Sequence, residues 1–81
     1  MNLTETKVDE LAIICYIDSN EKNIEALHGI MRLGVVPGLE IRKLSQIATC
    51  AEYRVEGTSG RLVISKDLSD YIIVDLLDED G

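Results

Sequence analysis

Apolar residues along the chain alternate between two periods, and the changes of period divide it into short elements. Leu11-Ala12-Ile13-Ile14-Cys15-Tyr16-Ile17 is β-prone and apolar on both faces, which predicts a strand covered on both sides. Asp18-Ser19-Asn20-Glu21 then reads as a helix start, with capping-box spacing between Asp18 and Glu21, or with Ser19 or Asn20 as the cap. Apolar residues at Ile24, Leu27, Ile30, Met31 and Leu33 follow at helical spacing, predicting a helix from about Glu21 to Leu33. Gly29 inside it costs on the order of 1 kcal/mol relative to alanine, which close packing of another backbone would explain.

From Leu39 onward the period is two. Leu39 and Ile41 face inward, and Leu44 falls out of phase, so a bend or bulge is expected near Lys43. Glu52–Glu56 alternates with Tyr53 and Val55 inward. Gly57-Thr58-Ser59-Gly60 is a loop, and Arg61–Ile64 returns as the hairpin partner. Ser65–Asp70 suits one capped helical turn before a last strand, Tyr71–Leu76.

Between the helical and the alternating halves stands Leu33-Gly34-Val35-Val36-Pro37-Gly38, which holds the only proline. Gly34 falls where a helix needs a left-handed terminal residue, and Pro37-Gly38 suits the centre of a type II turn. Gly34, Pro37 and Gly38 are therefore read as architectural. Val35 and Val36, if exposed, would form an apolar contact point. Five short strands, one helix after the first and a helical turn before the last predict a mainly β fold, a small, strongly bent antiparallel barrel. Residues 1–81 form one domain in this reading, with 1–7 and 78–81 as flexible ends.

Size and charge narrow the function. A chain of 81 residues buries roughly 60–65% of its unfolded surface. Its core must be aliphatic, because it has no Trp or Phe but 10 Ile, 10 Leu and 6 Val. That leaves little room for a buried substrate site and favours a binding or regulatory module over an enzyme. The net charge of −7 argues against nucleic acid and anionic membrane surfaces as partners. It is unevenly spread: residues 1–31 carry −4, residues 32–66 carry +3 and residues 67–81 carry −6. Arg42, Arg54 and Arg61 in the basic middle are candidates for contact with an acidic partner or phosphate, although they also balance the acidic ends.

Cys15 and Cys50 lie in apolar surroundings without metal-ligand spacing and are expected as reduced core thiols. Met1–Lys7 is polar and no hydrophobic leader segment follows. No apolar run approaches the roughly 20 residues that span a bilayer. A cytoplasmic protein with no direct membrane insertion is the expectation.

Sequence motifs for chemistry are missing: no phosphate-binding glycine loop occurs, and the single histidine, His28, sits on the expected helix. His28 and Asp75 are remote metal candidates, and the acidic residues Asp75, Asp78, Glu79 and Asp80 would bind divalent cations only weakly. Asp67 and Asp70 read as capping and solubilising residues. No cofactor and no catalytic residue is expected.

The segment Ile30-Met31-Arg32-Leu33-Gly34-Val35-Val36-Pro37-Gly38-Leu39-Glu40-Ile41 resembles the Leu-Gly-x-x-Pro-Gly signature and following strand of the FeoA family. These are accessory proteins of ferrous iron transport, and the domain also occurs at the C-terminus of iron-dependent repressors. Val55-Glu56-Gly57 and Arg61–Ile64 are similar to the family's hairpin, and Ser65–Val74 to its closing turn and strand. Asp9 stands where the family usually has Gly, and Gln46–Cys50 lacks the family's Pro- and Gly-containing loop. The resemblance implies an SH3-like barrel with an added helix, no chemistry of its own, and regulation of a FeoB-type iron permease or of its assembly through contact with the permease's cytoplasmic domain. The alternative it implies is a stand-alone metal-responsive regulatory domain. An exposed strand edge also leaves room for self-association or for peptide binding by strand addition.

Overall fold

The computed structural model describes residues 1–78. Its strands are β1 (Leu11–Ile17), β2 (Glu40–Gln46), β3 (Cys50–Val55), β4 (Arg61–Ser65) and β5 (Ile72–Leu76). Helix α1 (Ile24–Arg32) follows β1, and the single-turn α2 (Lys66–Ser69) joins β4 to β5. All neighbouring strands are antiparallel, in the order β4-β3-β2-β1-β5. The expected SH3-like arrangement of five strands, one helix and one helical turn is borne out.

One face of this sheet makes the core. Ala12 and Ile14 of β1, Ile41 of β2, Ala51 and Tyr53 of β3, Ile64 of β4, and Ile72 and Val74 of β5 are buried together, and Leu27 and Ile30 of α1 join them. The alternation in β2 and β3 is as expected, and the register shift between Lys43 and Ser45 supplies the predicted bulge. β1 differs from expectation. Only Ala12 and Ile14 are fully buried, while Cys15 and Tyr16 are exposed, because a second bulge between Ile14 and Tyr16 turns this end of the strand outward. The thiols are therefore not core groups: Cys15 is exposed and Cys50 half-buried. Cys15 donates to Asp75 Oδ2 at 3.3 Å, and this bond, reinforced by the carboxylate's charge, holds its thiol above the ordinary value.

Helix α1 begins later than its sequence pattern suggests. Asn20 organises the turn before it: its Oδ1 accepts from the backbone N–H of Lys22 and Asn23, and the Asn23 side chain accepts in return from the Asn20 N–H at 2.6 Å, while Asn23 at the N-cap makes no side-chain capping bond to the helix. Ser65 likewise makes no side-chain capping bond to α2. Gly29 has nothing within 4 Å of where a Cβ would stand, so close packing is not the reason for it. Gly29→Ala is expected to stabilise the protein by about 0.5–1 kcal/mol through helix propensity, read as a higher urea midpoint with an unchanged slope.

The N-terminal residues are not a loose end. Asn2 and Glu5 form a reciprocal capping box around the 3₁₀ turn Leu3–Glu5, and Leu3 is in the core. Asn2 bridges Ile73, and the Val74 N–H donates to the Met1 carbonyl at 2.8 Å, so the start of the chain covers the outer edge of β5. Among the described residues β4 has no strand on its outer side. Asp9, where the resemblance expects glycine, adopts a left-handed φ of 72°. The acidic tail expected to be loose lies, from residue 79 on, outside the described residues.

Candidate functional site

The segment 30–39 folds as two linked turns. The Val35 N–H returns to the Ile30 carbonyl and the Gly34 N–H to the Met31 carbonyl, with Gly34 at φ 103°; this is a Schellman ending. The Leu39 N–H then closes on the Val36 carbonyl around Pro37-Gly38, with Gly38 at φ 91°, as a type II turn requires. The Gly38 N–H also donates to the Ile14 carbonyl at 2.7 Å, fastening the turn to β1. Gly34, Pro37 and Gly38 are thus architectural. Val35 is not a contact residue. The reversal after Gly34 drives it into the core, where it is fully buried, and leaves Val36 partly exposed.

The exposed apolar residue here is Leu33, at 69% of its full surface. It forms one wall of a mainly apolar groove of about 530 Å³, which continues over Leu39, Val55 and Leu62 and ends at Thr58, Gly60 and Arg61 of the hairpin. The helix end and the hairpin are far apart in sequence. The sheet unites them by placing the start of β2 beside the end of β3, with Ile41 opposite Val55, and β3 beside the start of β4.

The three arginines singled out from sequence are also brought together. Arg42 lies directly opposite Arg54, and Arg54 directly opposite Arg61, so they form one rank across β2, β3 and β4. Their neighbours along the chain, Ile41, Val55 and Tyr53, are buried, so the rank lies on the sheet face away from the core. Glu56 accepts from Arg42 Nε at 2.9 Å and lies 3.6 Å from Arg54, and Glu52 lies 3.8 Å from Arg61. The Arg42 hydrogen bond, aided by both guanidinium charges, holds the Glu56 carboxyl below its ordinary value. Arg61 belongs both to this rank and to the groove.

The metal candidates do not converge on a cluster. His28 is exposed on α1, Asp75 is exposed on β5 beside Cys15, and among the described residues no three His, Cys, Asp or Glu side chains group together. No helix among the described residues is long and apolar enough to cross a membrane.

The model of the FeoA domain matches residues 1–76. The chain belongs to the FeoA family. With that family it falls among the components of ferrous iron transport systems. Two solved structures carry the same fold. The crystal structure of an iron uptake regulatory protein (FeoA) is 23% identical with a TM-score of 0.79, covering 95% of this chain and 97% of that one. The NMR structure of a FeoA-like protein from Clostridium acetobutylicum is 23% identical with a TM-score of 0.80, covering 100% of this chain and 91% of that one. No curated protein sequence matches the chain.

Two features of this FeoA domain escaped the sequence reading. Leu33 was visible as the last periodic residue of the helix, but its exposure depends on Gly34 ending the helix before the chain turns inward. Lys43 was visible only as a bulge position. It is 2% exposed, and its ammonium donates to the carbonyls of Thr4 and Thr6 at 3.0 and 2.5 Å and to Gln46 Oε1 at 2.8 Å. Burial lowers its pKa, opposed by the charge of Glu10.

Proposed function

We propose that this FeoA-family protein is a non-catalytic accessory of ferrous iron transport that binds, in the cytoplasm, the soluble domain of a FeoB-type permease. The observation that carries the choice of binding surface is the groove between Leu33 and Leu62, an apolar concavity on the surface of a small protein. Its walls come from the family's signature segment and from the hairpin, so a partner seated there would read both at once.

The test is titration of ¹⁵N-labelled protein with the permease's soluble domain, with and without guanine nucleotide. Amide shifts are expected at Leu33, Gly34, Leu39, Thr58 and Leu62. Leu33→Gln, at a position exposed enough to leave the fold intact, should weaken binding about tenfold or more. Absence of binding in both nucleotide conditions, or shifts confined to other surfaces, would reject the proposal.

A further inference from the structure

The arginine rank brings three like charges side by side, with Glu56 and Glu52 among them. Like charges directly opposite on paired strands are unfavourable, and this sheet places two such pairs in succession, Arg42 with Arg54 and Arg54 with Arg61. Arg42 is held by Glu56 at 2.9 Å and donates to the Asp9 carbonyl at 2.6 Å. The carboxylates nearest Arg54 and Arg61 stand at 3.6 and 3.8 Å, outside hydrogen-bond range, and those two side chains are 39% and 66% exposed. The chain as a whole carries −7, so the rank is a local reversal of sign on an acidic molecule.

We infer that Arg54 and Arg61 are a recognition site for carboxylates of a protein partner, continuous through Arg61 with the apolar groove. The inference deepens the proposed docking role and rests on it for the choice of surface. The occupant is a short segment that crosses the outer edge of β4, with an apolar side chain in the groove and an aspartate or glutamate against the guanidinium groups on the other face. Charge complementarity selects this class. An isolated carboxylate responds to the nearby arginines, whereas a long polyanion such as nucleic acid meets the acidic remainder of the surface as well. The forked N–H donors of arginine suit the two oxygens of a carboxylate. A carboxylate set against Arg54 and Arg61 also offsets the like-charge contact between them.

Two synthetic probes test this with the intact protein: a short peptide alternating leucine with aspartate or glutamate, and its counterpart with asparagine and glutamine in place of the acids. The acidic peptide should shift the amides of Arg54, Arg61 and Leu62 and bind about tenfold more tightly than the neutral one. That preference should vanish in the double variant Arg54→Gln/Arg61→Gln and in about 0.5 M salt, and return with lysine at both positions. The double variant should keep its thermal midpoint, since it removes a repulsion with two long ion pairs. Equal affinity for the two peptides, no shifts at millimolar peptide, or indifference to the double variant would overturn the inference. So would an oligothymidylate binding through the same arginines more tightly than the acidic peptide. If the permease domain binds wild type and double variant alike, the docking role stands and the carboxylate site falls. If the peptides discriminate as expected while the permease domain does not bind, the carboxylate site stands and the choice of partner falls.

Discussion

Lys43→Ala is expected to destabilise the protein by on the order of 3–5 kcal/mol. A domain of this length has a total stability of about 4–12 kcal/mol, so the loss is a quarter of it or more. Two effects add. Truncation leaves a cavity where a fully buried chain lay against Tyr53, whose ring centroid is 5.8 Å from the ammonium. It also strips the Thr4 and Thr6 carbonyls of their charged donor, and with them the bonds that tie the chain's start to β2. Lys43→Met separates these contributions. It keeps most of the buried volume and still leaves the carbonyls unpaired, so it should lose roughly 1–3 kcal/mol. Urea unfolding of the three proteins measures both steps; a Lys43→Ala midpoint equal to wild type would show that the buried ammonium holds nothing together.

Alkaline pH should unfold the protein through Tyr53. Burial raises its phenol to about 12 against an ordinary value of 10, an effect eased by the Ser69 hydroxyl beside it and strengthened by the charge of Asp70. Between those two values the folded state holds a proton that the unfolded state has released. Stability therefore falls as pH rises from 10 to about 12, by roughly 2–3 kcal/mol in all. Lys43 acts in the opposite sense: its pKa is lowered, so its contribution rises with pH up to its ordinary value of 10.5. The expected profile climbs slightly toward pH 10 and then drops. Tyr53→Phe should abolish the drop. At neutral pH it should leave stability unchanged or raise it by about 1 kcal/mol, because the Tyr53 hydroxyl is buried without a hydrogen bond to any described group. An unchanged alkaline limb in that variant would place the titration elsewhere.

Most of the architecture was legible because it depends on local patterns. The period-two alternation at Leu39–Ile41 and at Tyr53–Val55, the Gly34 helix stop and the Pro37-Gly38 turn are each decided by neighbouring residues, and each appears in the structure. What could not be read depends on residues distant in the chain. Val35 and Val36 are chemically equivalent in sequence, and only the path taken after the Schellman turn buries the first and exposes the second. Residues 1–7 were expected as a flexible end because they are terminal. Their order comes from Leu3 in the core and Lys43, nearly 40 positions away, holding their carbonyls. Cys15 looked buried because its neighbours are apolar, and a bulge that no local signal announces turned it outward. The arginines were picked by charge alone; their alignment needed the register of three strands.

The two turns at residues 33–39 have a mechanical consequence for the groove. One wall is pinned by the Val35–Ile30 and Leu39–Val36 bonds and by the Gly38 bond to Ile14 in the middle of β1. The opposite wall is a hairpin tip that the Thr58 N–H and hydroxyl tie to the Val55 carbonyl of its own strand. A vice with one fixed and one sprung jaw adjusts from the sprung side. If the groove seats a partner, adjustment to bulkier or slimmer side chains is expected at residues 57–60.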